Sequence, residues 1–332
     1  MLKIYKFLIS VLFIHATSFL TAQDVDFHSI NNIHNLTIRE TNSICRDDNG
    51  FIWIASKTGI IRIGVDNYRI YQLPYENANI VFLRITYRNG MLITYSNNGQ
   101  TFIYNEITDK FETYINIANI LNNSSVQINK IAISVDKSLW IASVSGLYKA
   151  EGKQLKVIDS QEAIENLEWY NDSLLFLARR NDIKLANIKT PNKYLLSIPN
   201  PRTRAIKTSL NYNKKTNSLW IGTKADGIFR YDLNLHSYID LTHLNIPKQP
   251  VLTLKEQNDT TLLAGIDGQG IWVIDNVRNK LITTHKTTVT ILIPYKAMVF
   301  TIYYAFLISK FGCVPTTTEQ FITIPNRNLL HK

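Results

Sequence analysis

Seven histidines, His15, His28, His34, His236, His243, His285 and His331, are the first candidates for metal or proton chemistry, and their spacing supports neither. None stands at a ligand interval from another histidine or from Cys45 or Cys313. His236 and His243 flank a loop and read as solvated. The chain holds no Gly-x-Ser-x-Gly elbow, no glycine-rich phosphate loop and no pair of carboxylates set apart for acid–base work. Asp267-Gly268-Gln269-Gly270 has the outline of a calcium loop but lacks the alternating acidic ligands and the closing glutamate, so it reads as a turn. No catalytic residue, metal or cofactor is therefore assigned. What remains is hydrogen-bonding chemistry: Lys57, Asn97, Asn98, Ser145, Arg179, Arg180, Lys224, Asp226, Asp267 and Gln269 lie on short turns and could together hold a sugar. Turns favour these same residues for backbone reasons, so solvated turns are the competing reading.

Those turns belong to a recurring phrase. Asn49-Gly50-Phe51-Ile52-Trp53-Ile54-Ala55-Ser56 returns as Ser138-Leu139-Trp140-Ile141-Ala142-Ser143 and as Ser218-Leu219-Trp220-Ile221-Gly222-Thr223, with a degraded copy at Leu262-Leu263-Ala264-Gly265. Anchors at Trp53, Leu92, Trp140, Leu175, Trp220 and Leu263 are spaced 35 to 48 residues apart, the length of one four-stranded propeller blade. The copies are rich in Ile, Val, Thr, Tyr, Phe and Trp, which suit a pleated surface and argue against helical repeats. Within each copy the order also repeats. A short apolar strand (Ser43–Arg46, Lys130–Ser134) leads to a polar turn such as Arg88-Asn89-Gly90, where an Asn-Gly pair needs positive φ at both positions. The tryptophan strand follows, then a tight turn closed by glycine, a third strand (Ile60–Ile63, Ile228–Tyr231) and a more polar fourth (Lys110–Tyr114, Lys280–Thr283). The fold class is all-β: a propeller of four-stranded blades with six recognisable repeats over residues 24–285. The tryptophans read as filling the space between blades and are not evidence of a binding site. In a propeller the loop after the second strand shares an end with the loop into the next blade, so the ten turn residues above would ring one mouth of the channel. If Arg179→Ala with Arg180→Ala left ligand affinity unchanged, that mouth would not be the site.

A net charge of +10 suggests nucleic acid until it is divided along the chain. Residues 24–285 carry 29 basic and 25 acidic side chains, an ordinary mixed surface with no basic stripe. The start, Met1-Leu2-Lys3-Ile4-Tyr5-Lys6, followed by apolar Phe7 to Ile14 and small residues to Ala22, reads as a secretory signal peptide over 1–22, placing the protein in the periplasm. Cys45 reads as a buried small hydrophobe. After His285 the repeat grammar stops. Residues 289–309 are apolar, but as a span they would carry Lys296 at a cost of about 2.5–3.5 kcal/mol beside Pro294. Three readings of 286–332 stand: a membrane span, strands of an irregular last blade, or a change of reading frame near residue 286.

The stretch Ile44 to Ile60, together with Leu219-Trp220-Ile221-Gly222-Thr223 and Asp226-Gly227-Ile228-Phe229-Arg230-Tyr231-Asp232, closely resembles the two-component regulator propeller repeat. The resemblance covers residues 24–285 and implies the periplasmic sensor part of a hybrid two-component system of the kind Bacteroidetes use. Such sensors pair seven-bladed propellers, then carry a β-sandwich, a membrane helix, a histidine kinase and receiver modules, and many respond to glycan fragments. No phospho-acceptor region or nucleotide box is present here, so kinase activity maps to no residue. The resemblance implies a truncated sensor whose partner is an oligosaccharide or glycan fragment, with a homodimer as a further family trait. The alternatives are a stand-alone secreted propeller acting as a lyase-type enzyme, or a scaffold that binds another protein.

Overall fold

The computed structural model describes residues 41–285, apart from 58, 65–66, 77–79, 81 and 204. The expected signal peptide over 1–22 and the segment 286–332, with its span over 289–309, lie outside the described residues. Among the described residues twenty-four strands form six antiparallel four-stranded sheets, each with its strands in chain order. The blades occupy residues 41–71, 83–116, 128–159, 164–199, 207–239 and 251–285. Among the described residues one short helix, Ile117–Ile120, and a single 3-10 turn, Thr242–Leu244, interrupt this pattern. No helix among the described residues is long and apolar enough to cross a membrane.

Local chemistry accounts for the blades. Asn89 and Gly90 have φ of 52° and 71°, the paired positive values that an Asn-Gly hairpin requires. Gly59 and Gly146, which close the turn after the second strand, have φ of 131° and 133°. Only glycine visits that region freely. Each blade's inner strand (Thr41–Arg46, Leu83–Arg88, Ile128–Ile133, Ile164–Trp169, Lys207–Asn213 and Val251–Asn258) pairs with the strand that follows it.

Blades pack through apolar clusters that join blades 1 and 2, 2 and 3, 3 and 4, 4 and 5, and 5 and 6. Trp53, Trp140 and Trp220 are 1%, 1% and 0% exposed, each facing the following blade. A cation from the third strand covers each indole: Arg62 lies 5.5 Å over Trp53, Lys149 5.6 Å over Trp140, and Arg230 5.5 Å over Trp220. Each is the direct cross-strand partner of its tryptophan, so the pairing is set by register. Cys45 is buried, and burial raises its thiol pKa well above the usual value, which leaves it inert.

Two anchors expected from sequence are displaced by one residue. Ile93 and Phe176, not Leu92 and Leu175, occupy the tryptophan position: Ile93 packs toward blade 3 and Phe176 toward blade 5. Leu92 and Leu175 point at the preceding blades instead. Both faces of these strands are buried between neighbours, so adjacent apolar residues carry no alternation to mark which face is which.

Candidate functional site: channel and mouth

The ladders place the beginning of each inner strand beside the end of the second strand, as in Thr41↔Ser56, Leu83↔Ser96, Ile164↔Arg179 and Val251↔Ile266. The turns after the six second strands therefore share one end of the propeller with the connections leading into the inner strands. Main-chain bonds fix four of the six there: the amides of Asn97, Val144, Lys224 and Asp267 donate to the carbonyls of Phe82, Gln127, Ile206 and Pro250 at 3.3, 3.1, 3.0 and 2.9 Å. All the turn residues singled out in the sequence sit at this end.

Their side chains divide into two groups. Lys57, Arg180 and Lys224 are exposed, three cations at the rim. Asn98 accepts from Ser96 at 2.5 Å and Gln100 at 3.2 Å, and Ser145 meets the Tyr148 hydroxyl at 2.9 Å, so both brace their own blade. Asp226 is half-buried, and burial raises the Asp267 pKa above its usual value. Arg179 is committed to structure: its guanidinium pairs with Glu162 at 2.5 Å and lies 5.6 Å over the Tyr194 ring. Sequence spacing gave no sign of this bond, because Glu162 precedes the inner strand and meets Arg179 only through the ladder.

Beside Arg179 lies a residue that sequence reasoning missed. Lys207 has no exposed side-chain area. Its ammonium donates to the Arg180 carbonyl, Asn200 Oδ1 and the Ala205 carbonyl at 3.0, 2.9 and 3.2 Å, and pairs with Glu165 at 3.1 Å. Desolvation lowers its pKa from the ordinary value, and the Glu165 charge opposes that shift. This is how the fold treats an ammonium that it buries for structure: every donor finds an acceptor.

Below the rim the six inner strands surround a polar channel enclosing about 120 Å³. Alternation on those strands sends Ile85, Ile131, Leu167, Leu210 and Leu254 into the preceding interface. The residues between them line the channel in two tiers. Ser43, Arg84, Lys130, Asn166, Ser209 and Thr253 form the one nearer the rim; Thr86, Glu168, Asn211 and Lys255 belong to the other. Side chains of one inner strand also bond the main chain of the next. Ser43 accepts from the Ile85 amide at 2.6 Å, Arg84 donates to the Asn129 carbonyl, Asn129 to Ile164 and Asn166 to Thr208 at 2.7 Å each, and Thr208 to Val251.

A second, more open groove of about 570 Å³ runs along the flank between blades 2 and 3, lined by Tyr104, Tyr114, Asp136 and Glu151. Hydrogen bonds from Ser134 and Ser138 hold the Asp136 carboxyl down to about 2 against burial. A depressed carboxylate pKa contributes stability that is complete above the unfolded value of about 4 and is lost as pH falls toward the folded value. Carbon-13 NMR titration is expected to place the Asp136 midpoint near 2, and Ser134→Ala to move it upward. A midpoint near 4 in the parent would refute the assigned bonds. Among the described residues no group of three His, Cys, Asp or Glu gathers at metal-binding range.

No family model matches the chain, and no curated protein matches it in sequence. Solved structures match its fold. The extracellular domain of a putative hybrid two-component system from B. thetaiotaomicron superposes with a TM-score of 0.66 at 17% identity, covering 91% of this chain and 40% of its own. A second such domain from the same organism gives 0.59 at 15% identity, covering 80% and 38%. The computationally designed protein Ika8 gives 0.56 at 15% identity, covering 79% and 80%. The chain thus spans about two fifths of the length of the two sensor domains it matches.

Proposed function

We propose that this propeller is the ligand-recognising part of an extracellular or periplasmic sensor of the two-component type, and that its ligand is an oligosaccharide held at the mouth of the channel. One observation carries the reading: the short turns after the six second strands, four of them braced by main-chain bonds, converge at one end of a polar channel and present Lys57, Arg180 and Lys224 to solvent. Rigid turns offering cations, carboxylates and amides suit the hydroxyl-rich face of a sugar, because little ordering entropy is lost on binding. The fold shared with two extracellular sensor domains supports the signalling half of the proposal. Signal relay would then require partner modules that receive a change at this mouth.

The test is calorimetry of the full chain against a panel of neutral and acidic oligosaccharides. Arg180→Ala combined with Lys224→Ala should weaken binding about tenfold or more, the usual loss when charged hydrogen bonds are removed. Arg179 is left in place, since removing it would strand Glu162 half-buried. The absence of any saturable binding, or an affinity untouched by the double substitution, would overturn the proposal.

A further inference from the structure

Lys130 stands out against Lys207. Both ammonium groups sit in partly or fully enclosed surroundings, but Lys207 has four acceptors and Lys130 has none. No hydrogen bond or ion pair from another described residue holds the Lys130 ammonium, which lines the channel in the tier nearer the rim. Desolvation lowers its pKa, opposed by the charge of Glu168.

The neighbours of Lys130 do not neutralise the region. Arg84 and Lys255 also line the channel, and Glu168 is the one carboxylate among its described lining residues. Arg84 is steered by the Asn129 carbonyl and lies 4.8 Å over the Phe82 ring. The Glu168 carboxyl accepts from the Tyr212 amide. Arg88, also near Glu168, is paired with Asp172 at 2.8 Å and donates to the Ile133 carbonyl. Three cations and one carboxylate thus line a space of about 120 Å³, several times what a single water needs, with Lys255 also in the field of Glu256 outside the lining. A like-charge excess inside a narrow channel repels itself and is relieved by an anion.

We propose that the channel is an anion site that accepts one small carboxylate, with Lys130 as its principal contact and Lys255 and Arg84 supplying the surrounding field. Asn166, Asn211 and Thr253 add amide and hydroxyl groups to the same wall. The carboxylate could come from a free organic acid or from a sugar acid whose ring rests on the rim. In the second case the inference deepens the oligosaccharide reading and rests on it.

Calorimetry on the full chain at constant ionic strength separates these sources, with sodium acetate, sodium glucuronate, sodium phosphate and neutral glucose as the probes. Saturable acetate binding that weakens about tenfold or more in Lys130→Met supports a site for any small carboxylate. Glucuronate binding with the same loss, and no acetate binding, supports the site and assigns it to a sugar acid. Lys255→Met serves as a second variant should Lys130→Met not fold, and a smaller loss in the same direction is expected. Anion binding that is absent, or equal in the parent and both variants, overturns the inference. Binding confined to phosphate also overturns it, since the site would then not be one for carboxylates. Neutral oligosaccharides that bind the rim while every anion fails would leave the sensor reading standing and remove this one. Carboxylates that bind while every oligosaccharide fails would do the reverse.

Discussion

Gly146→Ala is expected to remove the third blade from the folded state. The turn between the second and third strands of that blade needs φ of 133°, where a side chain is strained whatever the space. The space is also missing: a Cβ at residue 146 would stand 2.0 Å from the main-chain oxygen of Asp159 and 3.0 Å from the Cα of Ser160. Both obstacles are backbone, so no rotamer change relieves them. We expect a loss above about 4 kcal/mol, a large part of the ~5–15 kcal/mol that holds a typical domain together. For a chain of this size that corresponds to a melting temperature lower by ~10 °C or more, or to no soluble product. Gly152→Ala is the control. It also has positive φ, 57°, but no atom lies within 4 Å of the added methyl, so only the left-handed backbone cost of about 1–2 kcal/mol is expected. Equal melting temperatures for the two variants would show that the Gly146 turn rearranges freely.

The second large effect is at Asp109. This residue occupies the turn between the third and fourth strands of blade 2, with φ of 49°, and its carboxylate gathers four donors. Tyr71 and Tyr104 donate at 2.7 and 2.5 Å, Arg62 lies at 3.2 Å, and Arg69 completes the set. Three of the four donors belong to blade 1, so one carboxylate clamps two blades. It also holds Arg62 over Trp53. Asp109→Ala strands these groups and should cost about 3 kcal/mol in urea unfolding. Asp109→Asn, which tolerates the same backbone and keeps one acceptor oxygen, should recover part of that. Burial opposes ionisation of Asp109, but the bonds from Tyr104 and Tyr71 and the charges of Arg62 and Arg69 outweigh it and hold the pKa below the usual value. The stability gained from the carboxylate is thus complete above the unfolded value of about 4 and declines as pH falls through the folded one. The gap between parent and alanine variant should narrow in acid. A gap that stays constant down to pH 2 would exclude the ionised carboxylate as the source.

Much of the fold was legible because turn chemistry is local. Asn89-Gly90 announced a hairpin, and Gly59 and Gly146 announced the next turn. Trp53, Trp140 and Trp220 fixed the phase of three blades. Where the anchor was Leu92-Ile93 or Leu175-Phe176, the phase slipped by one, since a strand buried on both faces offers no polar residue to break the tie. The rim residues were legible for the same reason as the turns. The channel was not. Lys130, Glu168 and Lys255 look like solvent-facing positions of ordinary strands, and their meeting depends on six ladders being aligned at one height. Lys207 and Arg179 were likewise hidden, since Glu165 and Glu162 are remote in sequence and adjacent only across the sheet.

The bonds linking one inner strand to the next have a consequence for how such a chain could lengthen. The side chains differ from blade to blade, a serine that accepts and an arginine, two asparagines and a threonine that donate, but in each described junction the partner group belongs to the main chain of the following blade. A main-chain group is present whatever residue occupies the position. A newly duplicated blade would therefore be accepted by its predecessor before its own side chains had adapted, and its sequence could drift without loosening that seam. This tolerance belongs to the inner-strand seam alone: farther out, the Asp109 clamp and the apolar clusters between blades depend on which side chains are present.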